Sequence, residues 1–238
     1  MGSLAIIPAR AGSKRIPKKN IREFKGKPMI AWSIETALAS KLFDEVVVST
    51  DDSVTAKIAR DYGATTPFIR PKNLADDHAT TAEVMAHAAD WVADHFDSCE
   101  YLCCIYATAP FLHADDLREG LFQLTTSHVG YTYAVSEFDY SPYRALSKSE
   151  DGLYSLQQQT FAATRSQDLP KLYHDAGQFY WSTVKQWQLN LNILSCSGIG
   201  IPISRMRSQD IDTEEDWRMA ELIFESAKAN LTSTIPLG

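Results

Sequence analysis

Residues 4–20 read L-A-I-I-P-A-R-A-G-S-K-R-I-P-K-K-N. Four apolar residues, Leu4–Ile7, run straight into a basic stretch with a single glycine. The apolar run predicts a short buried strand, and the basic stretch a loop at its carboxyl end. Residues 10–27 hold eight basic side chains (Arg10, Lys14, Arg15, Lys18, Lys19, Arg22, Lys25, Lys27) against Glu23 alone, a local charge of +7. The whole chain of 238 residues is acidic, with 23 Lys+Arg, 30 Asp+Glu and a net charge of −7. The acidic balance leaves the basic loop two readings, a solvated charged loop or a seat for an anionic ligand. It argues against bulk binding to nucleic acid or a membrane surface.

Working outward, Pro28–Ser40 has apolar residues at helical spacing, and Glu45–Ser49 is a β-branched strand. Asp51 or Asp52 caps a helix over Val54–Tyr62, which Gly63 ends. Thr80–Phe96 is a long helix with a possible capping box from Thr80 to Glu83. Tyr101–Tyr106 is an apolar strand, Ala114–Thr125 a helix, and Gly130–Ser136 an alternating strand. Strand–helix alternation of this kind predicts an α/β fold with a doubly wound, mostly parallel sheet. Such sheets bind ligands beyond the carboxyl ends of their strands, where the basic loop, Asp51 and Pro110 all fall. Residues 137–172 are rich in Ser, Gln, Tyr and Pro and break the alternation. They predict an inserted lobe between core segments 1–136 and 173–238. Strands are expected over Gly177–Trp181 and Ile193–Ile203, with a closing helix over Thr213–Ala229.

In the basic loop, Ala11, Gly12 and Ser13 leave backbone N–H groups free to converge on an anion, while Lys and Arg supply charge. The stretch fits neither G-x-x-x-x-G-K-[ST] nor G-x-G-x-x-G, which disfavours a dinucleotide-dependent redox enzyme. Pro17 also prevents the helix that follows either motif. The chemistry left is a polyphosphate held by an extended basic loop. Near the other end, residues 209–217 read Q-D-I-D-T-E-E-D-W. On an extended backbone Asp210 and Asp212 share one side while Ile211 turns to the core. That pair suits Mg²⁺, which shares oxygen ligands with substrate phosphates. Asp212 or Thr213 also suits a helix N-cap, with Glu215 or Asp216 three residues on.

The four cysteines show no bridge pattern and no C-x-x-C, which predicts a reduced, cytoplasmic chain. Met1-Gly2 opens like a myristoylation site, but Ile6 stands where that motif needs Ser or Thr. No apolar run approaches transmembrane length.

Taken together, I-P-A-R-A-G-S-K-R-I-P-K-K-N, G-K-P-M-I-A-W-S-I, V-V-V-S-T-D-D, A-T-A-P, R-S-Q-D-L and D-I-D-T-E-E-D-W resemble the cytidylyltransferases of nine-carbon acidic sugars, which include the CMP-sialic acid synthetases. The resemblance runs from about Ala5 to Glu221. It implies a Rossmann-like nucleotidyltransferase that transfers CMP from CTP to the anomeric hydroxyl of a 2-keto sugar acid, releasing pyrophosphate and needing Mg²⁺. It also implies a homodimer in which the 137–172 lobe reaches the partner's site. By motif, Arg10, Ala11, Gly12, Ser13, Lys14 and Lys19 would hold the CTP phosphates, with Arg15 and Lys18 as solvated neighbours. Asn20, Arg70, Ala79 and Thr81 would surround cytosine and ribose, and Asp210 and Asp212 the metal. Arg10, Lys19 and the two aspartates would be the catalytic set. Arg165 would meet the sugar carboxylate.

Sialate enzymes carry Q-P-T-S-P where this chain has Y-A-T-A-P, which places Tyr106 at the glutamine. Later, Y-H-D-A-G-Q-F-Y (173–180) departs from Y-x-x-N-G-A-I-Y and resembles the pseudaminic acid branch. Tyr106, Arg165, Gln167, Tyr173, His174, Asp175 and Gln178 are therefore the expected sugar contacts, with His174 and Asp175 as positional candidates for a general base. Legionaminate, N-acetylneuraminate and 3-deoxy-octulosonate stay open as acceptors. A non-catalytic nucleotide-binding regulator is the reading from another class.

Overall fold

The computed structural model describes residues 2–233 and the side chains of residues 2–227. Met1 and the core's last residues, 234–238, lie outside the described residues. The chain runs β1 (Gly2–Pro8), β2 (Glu23–Phe24), β3 (Lys27–Pro28), α1 (Met29–Ser40), β4 (Glu45–Ser49), α2 (Ser53–Asp61), α3 (Thr81–His95), β5 (Cys99–Ile105), α4 (Ala114–Thr126) and β6 (Tyr131–Glu137). It continues through β7 (Leu146–Lys148), β8 (Tyr154–Leu156), β9 (Tyr173–Thr183), α5 (Val184–Gln188), β10 (Gly198–Pro202) and α6 (Glu214–Ser233).

Six strands form one sheet in the order β10-β6-β9-β5-β1-β4. β1 lies parallel to β4 and β5, and β10 parallel to β6. β9 is antiparallel to both of its neighbours. The sheet is thus mostly parallel, as the alternation predicts, with one reversed strand in its middle.

The continuous apolar run of β1 follows from burial on both faces. Ala5 and Ile7 join Ile34, Val48, Leu117 and Trp181 on the α1 and α4 side. Leu4 and Ile6 join Met85, Val92, Leu102 and Trp187 on the α3 and α5 side. The caps form as read: the Asp52 carboxylate accepts from Thr55 N at 2.8 Å, and Thr80 and Glu83 close a capping box.

Two strands differ from expectation. β9 begins at Tyr173 rather than Gly177, because its polar first residues pair with β6 up to Glu137. The expected strand over 193–203 shortens to β10. Ile193–Ser195 instead form a 3₁₀ turn, capped by Asn192 through Leu194 N.

A third apolar cluster fastens the basic loop to the C-terminal segment. Ile16, Phe24 and Met29 pack with Ile211 and Trp217. Trp217 stands edge-on to Phe24 at 5.4 Å between centroids and carries the Arg22 guanidinium 4.4 Å above its ring. Trp217→Ala is expected to cost about 3–5 kcal/mol, measured as a lower urea midpoint. The same change would loosen the basic loop and the Asp210–Asp212 segment together.

Candidate active site

The carboxyl ends of β1, β4 and β5 open on a cleft of about 480 Å³. Arg10, Gly12, Ser13, Lys14, Lys19, Asn20, Arg70, Ala79 and Thr81 all line it, joined by Tyr106 and Asp212. Residues distant in sequence therefore meet where the strand order predicts. Pro17 keeps the loop from becoming a long helix. A short 3₁₀ turn, Lys19–Ile21, follows Lys18 in the left-handed region at φ 54°. Asn20 braces the loop by donating to Arg10 O at 3.0 Å.

Four of the loop's cations are paired. Arg10 Nη1 donates to Asp77 Oδ1 at 2.8 Å and to Asp76 O at 2.6 Å. Lys14 pairs with the other oxygen of Asp77. Lys14 first, then Arg10, hold the Asp77 carboxyl below the usual range. Lys19 Nζ lies 3.0 Å from Asp212 Oδ1 and 2.8 Å from Ile211 O, and Arg15 Nη2 lies 2.6 Å from Asp212 Oδ2. Arg15 is therefore no solvated bystander: it reaches the same carboxylate as Lys19. Lys18 lines no part of the cleft, because the left-handed turn carries it away.

Ala11 departs from the expected set. Its N–H is taken by Asp51 Oδ1 at 3.0 Å, so it braces the loop instead of lining the cleft. At the far end, Arg70 is 3% exposed, donating to Ser49 O and to Leu74 O. Burial lowers its pKa to about 10, still charged at neutral pH, and its Nε has no partner. A buried guanidinium that stays charged places a fixed positive charge in the wall of the cleft. Ala79 N donates to Asp76 Oδ1 at 2.8 Å, fixing the turn beside it.

Asp210 lies outside the cleft lining, on the segment that brings Asp212 into it. Desolvation of its carboxyl, then the like charge of Asp212, raise its pKa. Thr213 and Asp216 form the helix cap, and Asp216 also accepts from Asp212 N at 3.1 Å. Both carboxylates are thus left free of capping. Among the described residues no group of three or more His, Cys, Asp or Glu is arranged to hold a metal. Two like-charged carboxylates beside a cationic phosphate cleft fit Mg²⁺, which binds through one or two carboxylates plus substrate phosphates.

A second cavity of about 420 Å³ shares Thr80, Thr81 and Tyr106 with the first and adds Asp175, Tyr180, Asn190, Asn192, Ile193 and Leu194. Here Thr81 Oγ1 and Tyr106 OH lie 3.2 Å apart, the Tyr106 and Tyr180 rings are 5.4 Å apart, and Tyr180 OH donates to Asp175. Burial raises both tyrosine pKa values, so both hydroxyls are protonated.

Of the expected sugar contacts, Tyr106 and Asp175 meet in this cavity. The others do not. His174 stacks edge-on to Phe138 and turns Nδ1 to Asp175 O. Gln178 is buried and donates to Arg207 O. Gln167 lines a separate hollow in the lobe, and Tyr173 lies at the outer end of β9. Arg165 is exposed on the lobe. No residue of 138–172 lines either cavity. Asp77 and Asn192 were missed in the sequence because they stand in loops without a motif, whereas Tyr180 closes the quoted stretch 173–180 but was not among the expected contacts.

A family model described as cytidylyltransferase matches residues 4–218. The chain belongs to the cytidylyltransferase family. It is 40% identical over 225 residues to a pseudaminic acid cytidylyltransferase of Campylobacter jejuni, covering 94% of this chain and 97% of the relative. It is 33% identical over 240 residues to a CMP-N,N'-diacetyllegionaminic acid synthase of Legionella pneumophila, covering 94% and 97%. Among solved structures, a CMP:2-keto-3-deoxy-manno-octonic acid synthetase complexed with CTP aligns at TM-score 0.72. That match has 16% identity, covers 95% of this chain and 100% of that one, and bears on the fold alone. The enzyme is thus a cytidylyltransferase with a Rossmann-like nucleotidyltransferase fold.

Proposed function

We propose that this cytidylyltransferase transfers CMP from CTP to the anomeric hydroxyl of pseudaminic acid, giving CMP-pseudaminic acid and pyrophosphate. One observation carries the reading: a polar cleft with a buried guanidinium at one end, four basic side chains at the other, and a second cavity opening beside it. The triphosphate would lie along Arg10, Lys14 and Lys19, and the base against Asn20, Arg70, Ala79 and Thr81. In the reaction the sugar oxygen forms a bond to the α-phosphorus as the bond to the β-phosphate oxygen breaks in line. The protein's contribution is positioning and charge stabilisation. The loop cations neutralise charge gathering on the departing pyrophosphate. Asp210 and Asp212 would hold Mg²⁺, which lowers the pKa of a substrate hydroxyl and offsets phosphate charge when bound.

The second cavity is our acceptor pocket. Among the described residues its lining holds no Lys or Arg. It offers two carboxylates, Glu83 and Asp175, two asparagine amides and an apolar wall from Ile193 and Leu194. Those groups suit acetamido substituents better than a carboxylate. The sugar carboxylate would then need a guanidinium from elsewhere, which Arg165 of a second copy would supply. In the lobe Tyr140, Leu146, Leu153 and Tyr154 are all exposed, an apolar surface that pairing of two chains would cover. Light scattering should return the mass of a homodimer. The four free cysteines suit a reducing cytoplasm, and no helix among the described residues is long and apolar enough to cross a membrane.

The test is pyrophosphate release with CTP and a panel of acceptors: pseudaminate, legionaminate, N-acetylneuraminate and 3-deoxy-octulosonate. The highest kcat/KM is expected for pseudaminate. Highest activity with another acid would reassign the acceptor, and CTP binding without pyrophosphate release would mark a regulator.

Asp77 gives a further expectation. Triphosphate must take Arg10 and Lys14 from it, so Asp77→Asn should lower the Kd for CTP by roughly two- to fivefold, the modest effect typical of exposed pairs. Isothermal titration without Mg²⁺ would measure it.

A further inference from the structure

Gln178 stands where sialate enzymes have alanine, in the stretch that resembles a sugar-contact motif, yet it does not line the acceptor pocket. It is 3% exposed on β9. Unbroken alternation would place it on the face of Tyr180. Just before it, Gly177 takes φ +61°, and the β6–β9 register shifts in this segment. The side chain goes elsewhere: Nε2 donates to Arg207 O at 2.5 Å. Its own backbone O accepts from Tyr106 N at 2.9 Å. One residue therefore ties the strand end bearing Tyr106 to the turn at Arg207.

That turn leads to the acid pair. Arg205–Arg207 form a 3₁₀ turn capped by Ser204, and Asp210 follows three residues later. Arg207 places both terminal nitrogens on Asp116 of α4, with Nη2 3.1 Å from Oδ1. Beyond Asp210, Ile211 is buried beside Trp217 and its carbonyl accepts from Lys19. Asp210 is thus held between two anchored points, and Gln178 supplies part of the first. Meanwhile Gln178 Oε1 is buried without a partner. An orphaned acceptor opposes folding, whereas an apolar side chain of similar size would carry no such penalty. The amide is explained by what it holds in place, not by what it adds to stability.

We infer that Gln178 is a positioning residue for Asp210, setting the divalent-ion site from across the crevice rather than touching the sugar. This rests on the reading that Asp210 and Asp212 hold that ion. The test is Mn²⁺ binding in the presence of CTP, followed by electron paramagnetic resonance, alongside KM for the acceptor sugar. Gln178→Met keeps the bulk and removes the donor. It should weaken Mn²⁺ binding about fivefold, the effect of one neutral hydrogen bond, with acceptor KM unchanged. Gln178→Leu also lacks the donor, should act in the same direction, and serves if the methionine variant does not fold. A raised acceptor KM with Mn²⁺ binding intact would make Gln178 a sugar contact and overturn the proposal, as would no change in either. Asp210→Asn run in parallel separates the two levels. If it leaves Mn²⁺ binding untouched, the metal reading itself fails. If it weakens binding and the Gln178 variants do not, only the positioning role fails.

Discussion

Lys19→Ala is expected to lower kcat for pyrophosphate release by about 10²- to 10³-fold, the usual loss when one preorganised charge-stabilising donor is removed. The ammonium lines the basic cleft 3.0 Å from Asp212, with its side chain 19% exposed. Folding should suffer far less. Asp212 keeps Arg15 at 2.6 Å, and Ile211 stays in its apolar cluster. Pairs at this level of exposure contribute about 1 kcal/mol or less, so the melting temperature should fall by only a few degrees. Initial rates and thermal melts on the same preparation decide the matter. Unchanged turnover, or loss of activity in step with unfolding, would remove Lys19 from the mechanism.

Asp210→Asn should move activity and stability in opposite directions. Turnover should fall by about 10²-fold, because one carboxylate ligand that would hold Mg²⁺ is gone, and excess Mg²⁺ should restore part of it. An unaltered Mg²⁺ response would exclude the ligand role. The stability effect follows from the raised pKa of this carboxyl. Where the folded pKa lies above the unfolded one, the native state binds more protons. Stability then declines as pH rises through that interval, and the charged group opposes folding above it. Asparagine lacks this charge. The variant should therefore melt higher than the parent enzyme at pH 7, and the gap should close as pH falls below the carboxylate range. Melting curves from pH 3 to 8 would show it.

Much of this was legible in the chain because the signals were local. The apolar run Leu4–Ile7, the β-branched Glu45–Ser49 and the Thr80–Glu83 cap each report their own element. The order of those elements then brings the basic loop, Arg70, Ala79 and Thr81 to one sheet edge. Other features depend on pairing that no local pattern records. β9 opens with His174 and Asp175, which look like loop residues until Glu137 pairs with Tyr173. Ile193 and Leu194 look like strand residues, yet they turn into the wall of the second cavity. The loop's charge was visible, but its internal partners were not. Asp77 and Asp212 lie far along the chain, and only the folded geometry divides Arg10 and Lys14 from Arg15 and Lys19. Gln178 was singled out by its difference from related sequences. Its partner, the Arg207 carbonyl, is 29 residues away and appears only in the fold.

The reversed central strand has a consequence for how such a chain can change over time. Because β9 runs against β6, the lobe departs and returns at neighbouring positions, with Glu137 and Tyr173 as register partners. The intervening segment closes on itself, and added length there carries only a slowly growing entropic penalty. Insertions, deletions and wholesale rewriting of residues 138–172 can therefore accumulate without disturbing strand order, while the edge that carries Arg10, Lys19 and Arg70 stays under separate constraint. The architecture separates a sheet whose strand order is fixed from a closed insertion whose length is free to vary, joined where Glu137 meets Tyr173.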